Sequence, residues 1–140
     1  MSKRAFLLAL VSAFALSTLA PAVVFAQSTS SVAETSAAIQ SSVAKRLAIP
    51  ESSVAVTIKT NMIDVSIRDS RQEISTATFH GESYAIEEEV VRKIAANDEY
   101  KRIHSIHITH VLVLANGKHR ILHTIDYIKN THGVFEPHMT

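Results

Sequence analysis

Along residues 54–58 the hydrophobic positions Val54, Val56 and Ile58 alternate with Ala55 and Thr57, and the same period of two returns in Ile63, Val65 and Ile67. This is the pattern of strands with one buried face. With Thr60 and Asn61 as the loop, residue 58 falls opposite 63, 56 opposite 65 and 54 opposite 67, and all six β-branched side chains share one face of a hairpin. A second alternating pair, residues 106–115 and 118–128, flanks Asn116-Gly117, which suits a two-residue type I′ turn because both residues tolerate positive φ. That loop sets Ile106 opposite Tyr127, Ile108 opposite Ile125, His110 opposite His123 and Leu112 opposite Ile121 on one face. His107 opposite Asp126, Thr109 opposite Thr124, Val111 opposite Leu122 and Val113 opposite Arg120 make the other.

Helical spacing precedes each hairpin. Val32, Ile39, Val43 and Leu47 recur with a period near that of a helix, Ser31 and Glu34 have the spacing of a capping box, and Pro50 helps end the segment. A second helix is expected over residues 83–96, on the stripe Ile86, Val90 and Ile94. Residues 69–82 are polar and poorly periodic, and read as a connection with a short extended piece around 74–79. The order α-β-β-α-β-β predicts an α+β fold: two helices packed on one face of a four-stranded antiparallel sheet, in a single domain over residues 31–140.

The first 26 residues stand outside that domain. Lys3 and Arg4, an apolar stretch over residues 5–19 without an acidic residue, and Val24-Phe25-Ala26 before Gln27 are the three regions of a secretory signal peptide. Ser12, Ser17, Thr18 and Pro21 interrupt the apolar character, so removal is expected rather than retention as a membrane span. Residues 27–30 are then a flexible tail, and the mature chain is periplasmic or secreted, in a bacterial setting. With no cysteine there is neither a lipid anchor nor a disulfide, and core packing must hold the domain together. The full chain has 14 Lys+Arg against 13 Asp+Glu, and losing Lys3 and Arg4 leaves the acids in excess by one. Near neutrality gives no electrostatic basis for binding nucleic acid.

All eight histidines lie between His80 and His138, and three form the run His104, His107, His110. On a helix these three would line one stripe. The surrounding Ile, Val and Thr favour a strand, where His107 points away from the other two, and His104 and His110 are about 20 Å apart. The run is therefore no chelating motif, and two cross-strand pairs replace it. His110 and His123, with Cβ atoms about 5 Å apart, could hold one zinc or copper ion, although zinc sites use three or four protein ligands. Paired neutral imidazoles are the plainer reading, because two buried imidazolium ions would repel. His132 and His138 read as exposed residues of the C-terminal tail. His107 opposite Asp126 is a carboxylate-oriented imidazole beside the hydroxyls of Thr109 and Thr124, an acid/base arrangement without any accompanying nucleophile motif.

The residues Ile125-Asp126-Tyr127-Ile128-Lys129 followed by Gly133, Phe135, His138 and Thr140, with Ile106-His107-Ile108 after Ala95-Ala96-Asn97-Asp98, resemble a group of small exported bacterial proteins of unknown function, over residues 54–140. That resemblance implies a secreted or periplasmic α+β domain and implies no activity. The leading expectation is a small exported binding or interaction domain without a cofactor. It would act through Val111, Val113 and Leu122 on the open sheet face, meeting a second copy or a protein partner. Metal binding by His110 and His123 is the alternative, and hydrolysis by His107 and Asp126 stands third.

Overall fold

A computed structural model describes residues 20–138, with side chains from residue 31 onward. Of the leader expected over residues 1–26, residues 1–19 lie outside the described residues. The chain divides between Ala33 and Glu34 into two units, and the sheet belongs wholly to the second.

Helix α1 (Ala20–Leu47) runs through residues 27–30, expected as a loose tail, and through Ser31, expected as its cap. Pro21 sits in the first turn, where a missing N–H costs nothing, and no Gly or Pro interrupts the chain again before Pro50. The helix closes at Ala48, which takes φ 54. There the Ala48 N–H donates to the Lys45 carbonyl at 3.3 Å and the Ile49 N–H to the Ala44 carbonyl at 3.0 Å. These are the paired bonds of a Schellman motif, and Pro50 prevents the helix from resuming.

Strands β1 (Val54–Ile58) and β2 (Met62–Asp69) form the hairpin in the expected register, with Val54 facing Ile67, Val56 facing Val65 and Ile58 facing Ile63. Ser36 on α1 donates to the Val56 carbonyl at 2.9 Å, satisfying one acceptor of edge strand β1.

Helix α2 (Thr76–Ile94) starts well before residue 83, and its first turns occupy what the sequence pattern presents as a connection. Ser75 caps it, accepting from the Thr78 N–H at 3.2 Å. Ile74 before the cap and Phe79 four residues after it are both buried in the core, the positions of a hydrophobic staple. β-branched Thr76 and Thr78 and the flexible Gly81 hide this start, because each weakens helix propensity.

The chain leaves the sheet at Asp69, crosses through α2, and returns as β3 (Ser105–Val113) parallel to β2. Strand β4 (His119–Lys129) and a fifth strand, β5 (Phe135–His138), complete a mixed sheet in the order β1-β2-β3-β4-β5. The expected four-stranded antiparallel sheet is thus corrected twice. Alternation shows which side chains point inward but not the direction of the neighbouring strand, and a helical crossover makes β2 and β3 parallel. The C-terminal segment, expected as a tail, folds back as β5.

Both later hairpins use one loop form. The Leu114 N–H donates to the Lys118 carbonyl at 2.8 Å and the Gly117 N–H to the Leu114 carbonyl at 2.9 Å. Likewise the Asn130 N–H donates to the Val134 carbonyl at 2.8 Å and the Gly133 N–H to the Asn130 carbonyl at 3.0 Å. Gly117 and Gly133 take φ 77 and 81, while Ala48 is the only non-glycine with positive φ among the described residues. Asn116 is therefore not in the conformation a type I′ turn demands, and the loop is the three-residue kind that ends on a left-handed glycine.

This loop offsets the register by one: Val113 faces His119 and Val111 faces Ile121. A bulge at Leu122 then restores it, so His110 faces His123 and His107 faces Asp126, as the two-residue loop had predicted. The pairs Val111 with Leu122 and Leu112 with Ile121 do not form.

The core lies between the helices and one face of the sheet. Ile39, Val43 and Ala44 of α1 and Ile86, Val90 and Ile94 of α2 cluster with Ile63, Val65, Ile106 and Ile108. Glu89, nearly buried on α2, accepts from Ser42 of α1 and from Arg92, tying the two helices together. Among the described residues no helix is long and apolar enough to cross a membrane.

Candidate metal centre

Inward alternation along β2 runs Ile63, Val65, Ile67 and then Asp69, so the last inward position of the strand carries a carboxylate. On parallel β3 the same face carries Ile106, Ile108 and His110. Ile67 stands directly opposite His110, and Asp69 lies on the diagonal. Glu82 comes from the early turns of α2, which cover the C-terminal end of this parallel pair. That end is where open sheets with helical crossovers gather ligand-binding groups.

The three side chains converge. His110 Nδ1 lies 3.4 Å from Asp69 Oδ2 and 3.7 Å from Glu82 Oε2. One donor atom from each of the three residues falls within 4.8 Å of the others, a group able to hold a metal ion. The spacing fits that use. Zinc bonds of 2.0–2.2 Å in a tetrahedral arrangement put neighbouring donor atoms about 3.4 Å apart. His110 is fully buried, and its Nε2 has no hydrogen-bond partner.

Arg71, two residues beyond Asp69, supplies the local positive charge. Asp69 Oδ1 accepts from the Arg71 backbone N–H at 2.8 Å and from Nε at 2.9 Å, and Oδ2 accepts from Nη2 at 2.6 Å. Glu82 accepts from Nη1 and Nη2, both at 2.9 Å. The bond from the guanidinium holds the Asp69 carboxyl down at about 2, overcoming the effect of burial. Burial pushes His110 below the usual imidazole range, although the two carboxylates pull the other way. A neutral imidazole beside two carboxylates is the protonation state that a hard or borderline divalent cation requires. Beside this group opens a cleft of about 510 Å³, lined by Arg68, Asp69, Arg71 and Glu82, by Leu47 at the end of α1 and by Pro50 just beyond it.

The expected metal pair does not converge in this way. His110 and His123 face each other in the register, but the His123 Nε2–H donates to the Ile74 carbonyl at 2.9 Å, and His123 is no member of the ligand group. The Phe79 ring stacks on His123 at 4.7 Å and meets His110 edge-on at 5.2 Å. His123 thereby anchors the chain just before α2, while His110 turns toward Asp69 and Glu82.

His107 and Asp126 do meet, with Nδ1 2.6 Å from Oδ1, and the His107 Nε2 lies 3.1 Å from the Thr109 hydroxyl. They belong to a row across the outer face in which Asp64, His107, Asp126 and His138 occupy successive strands.

The expected interaction face does not form. Val111 is buried, Val113 is exposed, and the bulge turns Leu122 toward the core while leaving Ile121 67% exposed. A cofactor-free interaction domain is the wrong reading, because Asp69, the partly exposed Glu82 and the buried His110 form a cluster suited to a metal ion. Sequence reasoning found His110 and missed both carboxylates, which stand at the two ends of the segment presented as a connection. Asp69 was marked by its place in the inward alternation of β2, and Glu82 by its position one turn after Phe79 on a helix whose start was concealed.

No protein-family model matches the chain, and comparison with curated proteins and with solved structures returns no match.

Proposed function

We propose that the protein binds a divalent metal ion through Asp69, Glu82 and His110. The carrying observation is the approach of His110 Nδ1 to Asp69 Oδ2 and Glu82 Oε2, at 3.4 and 3.7 Å. One imidazole and two carboxylates suit zinc, and three protein ligands match the number in zinc centres that keep a position for water or a substrate. We further propose that the chain works outside the bacterial cytoplasm, in the periplasm or secreted. The basic, apolar and small-residue regions of residues 1–26 support that placement, together with the resemblance to small exported proteins.

Zinc titration of the metal-free protein by calorimetry tests the metal reading. One ion per chain is expected, with affinity falling about a hundredfold or more, about 2.7 kcal/mol, in Asp69→Asn and in His110→Gln. Equal binding by the wild type and by both folded variants would overturn it.

A further inference from the structure

We infer that Arg71 is the resident cation of the Asp69, Glu82 and His110 group, and that a divalent ion enters by displacing its guanidinium toward the adjacent cleft. This inference rests on the metal-binding reading proposed above.

Arg71 and the metal would compete for the same atoms. Asp69 Oδ2 and Glu82 Oε2 are the two oxygens that face His110 Nδ1. The same two oxygens accept from Arg71 Nη2, at 2.6 and 2.9 Å. A metal held by these oxygens and the imidazole would meet the positively charged Nη2 across both of its oxygen ligands. Two cations on one pair of oxygens repel, and the protein interior screens that repulsion poorly.

Charge gives the direction of exchange. Two carboxylates and a neutral imidazole sum to minus two, which Arg71 halves and a divalent ion cancels. The guanidinium is also free to leave. Its side chain is 44% exposed, and the residue lines the cleft rather than the core cluster. Departure gives up its four side-chain bonds to the carboxylates, while the Arg71 backbone N–H can keep its bond to Asp69 Oδ1. The pair of carboxylates is thus neutralised in part by the chain itself when metal is scarce, and the site fills only when the metal outcompetes its own arginine.

Zinc titration of Arg71→Gln separates this inference from the metal reading. With the competitor removed, zinc affinity should rise about tenfold or more. Arg71→Lys keeps the charge but lacks the two-pronged geometry, so its affinity should fall between those of the wild type and Arg71→Gln. A second measurement follows Arg71 itself: labelling with the arginine-selective reagent phenylglyoxal, located by mass spectrometry, should be faster at Arg71 when zinc is present. If folded Arg71→Gln binds zinc no more tightly than the wild type, or if labelling at Arg71 ignores zinc, Arg71 is no competitor and displacement falls while metal binding stands. If neither protein binds zinc, both readings fall together.

Discussion

His110 reaches Asp69 across the parallel pair β2 and β3, with Nδ1 3.4 Å from Oδ2, although the register places Ile67 and not Asp69 directly opposite it. The diagonal meeting requires both strands to end at the same side of the sheet. In an antiparallel pair the end of β2 would lie beside the start of β3, far from His110. The crossover through α2 therefore builds the site twice over, by making the strands parallel and by carrying Glu82 above them.

Acid stability should report on Asp69. Its folded carboxyl titrates at about 2, against about 3.9 in an unfolded chain. Because the folded value is the lower one, the stabilisation is complete above the unfolded value and is lost as the pH falls from about 4 through about 2. Asp69 is almost fully shielded, and the contribution should be about 1–2 kcal/mol. Urea denaturation of the chelator-treated protein between pH 5 and 2 should show a shallower loss of stability in Asp69→Asn than in the wild type; parallel curves would refute the assignment.

His110 acts in a different window. Burial lowers its folded value beneath about 6.5, so protonation favours the unfolded chain and stability declines as the pH drops below that point. In His110→Gln the decline just below pH 6.5 should be reduced relative to the wild type. Metal-free denaturation curves at pH 7.5 and 5.5 measure the difference, and an equal decline in both proteins would show that another group carries it.

On β1, β2 and residues 106–110 of β3 the inward faces were legible from alternation, because burial imposes it whatever lies alongside. Strand direction was not, since Ile106 and Ile108 alternate identically beside a parallel or an antiparallel neighbour. The histidine pairs came out as expected for a reason the sequence pattern did not contain: the loop ending on Gly117 moves the register by one, and the bulge at Leu122 moves it back. Between those two offsets Ile121 and Leu122 exchange roles. The carboxylates escaped notice because Asp69 looked like the first residue of a loop and Glu82 like the last.

That exchange is measurable. Leu122→Ala should destabilise the protein by about 1–3 kcal/mol, toward the low end for a side chain only partly buried against the core. Ile121→Ala should stay within about 0.5 kcal/mol of the wild type, because Ile121 is largely exposed. An unbulged hairpin with the two-residue loop would give the opposite ranking. Thermal or urea denaturation of the two variants decides between them.

The close of α1 carries a backbone cost that one substitution should relieve. Ala48 holds φ 54 to complete the Schellman bonds, a conformation that brings its Cβ toward the following carbonyl and costs about 1–2 kcal/mol for an L-residue with a side chain. Glycine removes that clash but gains freedom in the unfolded chain, which returns part of the benefit. Ala48→Gly should therefore raise stability by about 0.5–1 kcal/mol. Ala48→Val should lower it, since a β-branched side chain tolerates positive φ least. Because Leu47 and Pro50 line the cleft beside Arg71, a site that depends on the set of this turn should also report the change. Zinc affinity is expected to be unchanged in Ala48→Gly, where the turn geometry is kept, and reduced in Ala48→Val, where the end of α1 has to shift. Denaturation and zinc titration of the two variants measure both effects, and a stability loss in Ala48→Gly would show that the left-handed turn is not under strain.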